Sequence, residues 1–329
     1  MKNPISVGVW DYGMGTDRYV GEGYKERLGF LDRVKRIGAL HGVSGIEITY
    51  PNDVNEDTWA KVQPVLQEYG LVIAGMGVEL VCDKEWKDGS LSSANAAQRQ
   101  KAINLVKSAM DFARSIGVAV VSLWMGQDGF DYVFQNNYAA GYARLTDALR
   151  ICAQHDPSIK LGIEYKTSEP KMSCMMKNAG MALAAAQATG CANVGVTLDV
   201  GHAFNAGENP AESAAILLHE KRLFHLHLND NYRIADDDMP VGSVHWPQYF
   251  ELFYWLDRLG YEGWFSLDLY PYRDCPDAAC RASIAFIEGA SRFVTERLPE
   301  TFAGDVNRTP GSILEELMSR FFAAEGGRI

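Results

Sequence analysis

Val194-Gly195-Val196-Thr197-Leu198-Asp199 is a short β-rich run closed by an acid, with His202 three residues further on. Seven runs of the same kind surround it: Ile5–Trp10, Gly45–Tyr50, Leu71–Val78, Val118–Met125, Lys160–Lys166, Leu223–Leu228 and Trp264–Tyr270. Between them lie segments of helical period, among them Lys25–Leu40, Gln98–Ile116, Tyr138–Ala153 and Pro247–Leu259. In the second of these, Ile103, Val106, Ala109, Met110 and Ala113 recur three or four apart and form one apolar stripe. Gly70, Gly117, Gly190 and Gly260 stand where helices should stop, because glycine tolerates the left-handed cap conformation.

Strands alternating with helices imply a parallel sheet. The strand ends recur about every 37 residues, a comfortable βα unit, and eight such units close a barrel. An open doubly wound sheet is the rival, but no GxGxxG follows any strand. The expected fold is one (β/α)8 TIM barrel over residues 1–293. A C-terminal helical extension over 294–329 should include a helix at Ser312–Ala324. The chain has 329 residues, 47% hydrophobic and 22% charged, enough for a substantial core. A net charge of −11 opposes non-specific nucleic-acid binding. No stretch approaches the roughly 20 apolar residues of a membrane span, and no signal peptide is evident, so a cytoplasmic location is expected. Cys82, Cys152, Cys174, Cys191, Cys275 and Cys280 form no CxxC pair and read as reduced packing residues.

Barrel chemistry sits at the C-terminal ends of the strands. Four consecutive strands deliver an acid or imidazole there: Glu164, with Lys166 beyond it, then Asp199 with His202, then His225 and His227, then Asp268. The loop after the seventh strand adds Asp236 and Asp238. Singly, such residues are more often helix caps, core histidines or solvated turns. Together, Glu164, Asp199, Asp236, Asp238 and Asp268 would repel one another strongly. Two divalent cations and Lys166 would neutralise them, and ligands rich in oxygen suit Mn, Mg or Co.

These residues also carry a resemblance. Gly8-Val9-Trp10, Trp86-Lys87-Asp88-Gly89, Leu123 to Gly129, Ile163-Glu164-Tyr165-Lys166 with Glu169-Pro170-Lys171, Asp199-Val200-Gly201-His202 with Ala206-Gly207, and Leu223-Phe224-His225 with Asp236 and Asp238 follow one another in order. This series resembles xylose isomerase from about Gly8 to Arg273. Asp199 and His227 depart from that pattern and are similar to the L-rhamnose isomerase branch. Tyr50 stands at the position of the family's ring-opening histidine, with Asp53 three residues on, and Gln127 replaces an arginine.

The resemblance implies a metal-dependent aldose–ketose isomerase moving the carbonyl between C1 and C2 of an unphosphorylated sugar. One ion would be held by Glu164, Asp199, His227 and Asp268. The second would be held by Asp199, His202, Asp236 and Asp238. Lys166 would polarise the C1 carbonyl oxygen, and Trp10 and Trp124 would wall the sugar. Tyr19 would enter a neighbouring subunit's site in a homodimer or homotetramer. The apolar stripe of Ile313, Leu314, Leu317, Met318, Phe321 and Phe322 independently suggests a partner. A ketose 3-epimerase using Glu164 and Asp268 as acid and base is the alternative. A metal-dependent endonuclease or a sugar-binding scaffold explains fewer of these residues.

Overall fold

The computed structural model describes residues 2–169, 172–304 and 306–323. Eight strands close on themselves: β1 (Ile5–Gly8), β2 (Val43–Tyr50), β3 (Val72–Val78), β4 (Val120–Trp124), β5 (Lys160–Glu164), β6 (Val194–Asp199), β7 (Leu223–Leu228) and β8 (Phe265–Leu267). Every neighbouring pair is parallel, and β8 returns to β1 through the register Ile5 to Phe265 and Val7 to Leu267. The TIM barrel expected from the repeat is therefore present. Gly70 and Gly117 end their helices in the left-handed conformation, at φ 66° and 80°.

Period-two alternation decides what each strand offers to either side. On β2, Ile46 and Ile48 are buried against the surrounding helices while Glu47 turns into the barrel. Inside, small and polar side chains meet. Ser122 Oγ lies 2.8 Å from Thr197 Oγ1, and Ser6 Oγ lies 2.5 Å from Ser266 Oγ. Gly162 makes room for this packing, because a Cβ there would fall 2.2 Å from Thr197 Oγ1. The barrel axis is thus polar, where many barrels carry stacked aliphatic layers.

One expectation needs correction, and two elements gain detail. The helix expected over Lys25–Leu40 begins only at Phe30, because Gly29 is extended and residues 14–25 form a loop pinned by the Tyr24 and Lys25 amides on Met14 O. The last barrel helix runs through residue 293 as far as Arg297. The expected C-terminal helix is present at Pro310–Ala323 and packs on its own barrel. Phe321 stacks on Trp246 at 5.9 Å and packs against Phe250 and Phe293, and Leu317 is only 8% exposed. Leu314 and Phe322 keep the outer side of that helix apolar and exposed. Residues 324–329 of the expected extension lie outside the described residues. All six cysteines are free, and among the described residues no helix is long and apolar enough to cross a membrane.

Candidate active site

The ends of β5 to β8 bring Glu164, Asp199, His227 and Asp268 together. One ligand atom from each lies within 4.8 Å of all the others. His227 Nδ1 stands 3.1 Å from Asp268 Oδ2, 3.4 Å from Glu164 Oε1 and 3.9 Å from Asp199 Oδ2. These are inward positions at the C-terminal rim, which is why four separate strands can converge.

Asp199 has a second task. Its Oδ1 accepts the His202 amide at 2.7 Å and so caps the helix Val200–Asn205, while Oδ2 accepts Asn229 Nδ2 at 2.9 Å. Gly201 is required between them, since a Cβ would sit 1.9 Å from Asn229 Oδ1. Burial pushes the Asp199 carboxyl up to about 7; His202 opposes the shift, and Asp268, Asp236 and Glu164 reinforce it. Asp268 is held from the other side by Trp10, whose Nε1–H donates to Oδ1 at 2.5 Å.

A second group adjoins the first. Lys166 Nζ pairs with Asp236 Oδ2 at 2.8 Å and with Glu169, and it lies 5.1 Å over the Trp124 ring. His202 Nε2 is 3.1 Å from the same Asp236 oxygen. Burial would lower the Lys166 pKa, yet Asp236, Asp238 and Asp199 hold it above the ordinary value. His202 is raised to about 9: burial works against the charge, and Asp199 and then Asp236 overcome it. Burial, then Asp236, Asp268 and Asp199, hold the Asp238 carboxyl well above the carboxylate range, on a backbone at φ 44°.

Three carboxylates and one imidazole at this spacing are a donor set for a divalent cation that prefers oxygen. The neighbouring group carries two buried polar atoms without a hydrogen-bond partner, His202 Nδ1 and Asp236 Oδ1. Nδ1 faces the first cluster, 3.8 Å from both Glu164 Oε1 and Asp199 Oδ1. Buried polar atoms are normally satisfied, so these two fit a missing positive partner.

The profile of the xylose isomerase-like TIM barrel family matches residues 34–289. The chain belongs to that family. Xylose isomerase from Thermus thermophilus is 24% identical over 273 residues, covering 79% of this chain and 70% of that protein. A Mesorhizobium japonicum protein named "Probable sugar isomerase" is 24% identical over 256 residues, and the match spans 58% of its length. A solved structure of L-ribulose 3-epimerase superposes with a TM-score of 0.71 at 16% identity, covering 93% of this chain and all of that one. At that identity the likeness is one of fold.

In this xylose isomerase-like barrel, two of the expected residues stand away from the donors. Tyr50 follows Ile46 and Ile48 on the outer side of β2. Its ring packs on Phe112 at 5.5 Å and its hydroxyl donates to Glu56. Asp53 accepts the Thr49 amide and pairs with Arg33 at 3.2 Å, closing the turn after β2. Strand alternation sends Tyr50 outward, whatever its place in the motif. Tyr19 is 76% exposed, with the Arg18 guanidinium over its ring. Two motifs behind the resemblance meet: Asp128 accepts the Ser90 and Ser92 amides, so its part is to fasten a loop. Pro170 and Lys171 lie outside the described residues.

One residue escaped the reading of strand ends. Glu47, buried on β2, places Oε1 2.7 Å from His225 Nε2 and Oε2 3.1 Å from His227 Nε2. The signal was available: it is the lone acid in the run Gly45-Ile46-Glu47-Ile48-Thr49-Tyr50, on the opposite parity from the isoleucines.

Proposed function

We propose that this barrel is an aldose–ketose isomerase that moves the carbonyl between C1 and C2 of an unphosphorylated sugar by a hydride shift. The observation carrying this reading is Lys166. It is a buried ammonium beside the four-donor cluster, aligned by Asp236, Glu169 and the Trp124 ring.

Divalent ions, Mn, Mg or Co, would supply Lewis acidity toward the oxygens at C1 and C2, one at Glu164, Asp199, His227 and Asp268 and a second drawing on Asp199, His202, Asp236 and Asp238. Lys166 donates from Nζ to the C1 oxygen, steadying the charge that grows there. Asp238 takes the proton of the C2 hydroxyl and returns it to the C1 oxygen. Trp10 and Trp124 present apolar faces to the C–H surface of the sugar and exclude water. Tyr50 and Asp53, on the outer wall and in its turn, take no part. Asp199 and His227 support placement near the L-rhamnose isomerase branch.

We also propose a cytoplasmic homodimer or homotetramer. Exposed Tyr19 would approach a partner's site, and the outer side of the C-terminal helix would add contact area.

The 3-epimerase alternative draws on the placement of Glu164 and Asp268 beside the same imidazole, 3.4 and 3.1 Å from His227 Nδ1. A panel of free aldoses and ketoses incubated with Mn, followed by NMR, separates the two. C1/C2 interchange supports the isomerase. C3 inversion assigns Glu164 and Asp268 to acid–base work, and no turnover across the panel refutes both.

A further inference from the structure

His227 has two ring nitrogens in different surroundings. Nδ1 faces the carboxylates of the four-donor cluster, while Nε2 looks back into the barrel toward Glu47. Glu47 is 1% exposed and spans two imidazoles, one per oxygen. The rings of His225 and His227 stand edge to face at 5.2 Å, so one carboxylate can reach both. His225 Nε2 is also 3.1 Å from Ser266 Oγ, which continues to Ser6. The space is reserved by a neighbour. A Cβ on Gly75 would sit 3.0 Å from Glu47 Oε2 and 3.2 Å from His225 Nε2.

We infer that Glu47 is a positioning residue: it accepts Nε2–H from His227, fixing the ring so that the Nδ1 lone pair points at the cation site. This rests on reading Glu164, Asp199, His227 and Asp268 as ion ligands. The chemistry requires a carboxylate. Two imidazoles that both donate need two acceptor oxygens, and a glutamine offers one acceptor and one donor. An amide N–H facing His227 Nε2 would demand a lone pair there and move the ring proton to Nδ1, where the ion should bind. Partners of this kind typically change metal affinity by roughly 10- to 100-fold.

The test uses Mn alone as the probe. Mn dissociation constants are measured by EPR for wild type, Glu47→Gln and Gly75→Ala, the last crowding the carboxylate without removing it. In parallel, imidazole 15N NMR of the metal-free protein reports whether His227 Nε2 carries a hydrogen-bonded proton, a readout that general loosening of the fold does not move. Expected are a protonated, hydrogen-bonded Nε2 in wild type that loses this partner in Glu47→Gln, and Mn binding weakened about 10- to 100-fold in Glu47→Gln. Gly75→Ala should shift both in the same sense. A bare Nε2 in wild type overturns the inference, and this measurement stands even if both variants fail to fold. Wild-type Mn binding with an unchanged constant in Glu47→Gln overturns the inference alone. Wild-type protein that takes up no Mn overturns the ion-site reading as well.

Discussion

Replacing Lys166 by Met removes one charge and keeps most of the side-chain length. The ammonium is 2.8 Å from Asp236 Oδ2, pairs also with Glu169, and is too buried for solvent to screen it. Without it, Asp236 keeps only His202, while Asp199 and Asp238 press on it from nearby. Breaking a buried pair costs about 3–5 kcal/mol. The methionine regains part of that by packing on Trp124, so a net loss of about 2–3 kcal/mol is expected in metal-free protein. Turnover should fall further. A donor aimed at a developing oxyanion is worth roughly 100- to 1,000-fold in kcat. Substrate binding through other contacts should leave KM little changed. The assay is steady-state kcat with saturating Mn, together with Mn content and the melting midpoint of each form. A variant that binds Mn normally and turns over within about fivefold of wild type would refute the catalytic assignment. Lys166 would then be only the counter-ion of Asp236.

Metal-linked stability should depend on pH. In the metal-free fold Asp199 titrates at about 7, against about 3.9 in an unfolded chain, so its contribution to stability falls as pH rises between those values. His202, raised to about 9, contributes stability below about 6.5 that is lost as pH rises through 9. The ions need both groups unprotonated, so the rise in melting midpoint from EDTA to Mn should be larger at about pH 8 than at about pH 5.5. Equal increments at the two pH values would argue against the ligand set. Tyr50→Phe should cost about 1 kcal/mol through the lost bond to Glu56 and leave kcat unchanged; a large kcat loss would place Tyr50 in the reaction after all. Sedimentation at micromolar concentration should show at least a dimer, weakened by Tyr19→Ser together with Phe322→Ser, and a monomeric wild type would remove the partner from the proposal.

Much of the barrel was legible because its strands keep strong local signatures. Val194–Asp199 and Leu223–Leu228 form where their β-rich runs predict, and Glu164, Asp199, His227 and Asp268 converge because strand ends map onto one rim. Two side chains lie where strand ends and motif position did not point, and both follow from side-chain direction. Tyr50 was placed by its position in a motif, and alternation along β2 turns it outward; the same alternation turns Glu47 inward. The C-terminal stripe was legible as apolar, yet its division between the barrel and the exterior depended on Trp246, Phe250 and Phe293, far away in sequence. The antiparallel sheet of Gly129–Phe130, Ser168–Glu169 and Met172–Cys174 is too short to leave a periodic trace.

Each member of the donor cluster with a firm anchor is tied down by something other than an ion: Asp199 by a helix amide and Asn229, Asp268 by Trp10, His227 by Glu47. Side chains already confined to one rotamer have little conformational entropy left to lose on capture. That loss falls on the folding of the chain, before any ion arrives. A lengthened acid at position 199 would therefore do more than extend a ligand arm: it would unhook the cap of the following helix and return motional freedom to the cluster.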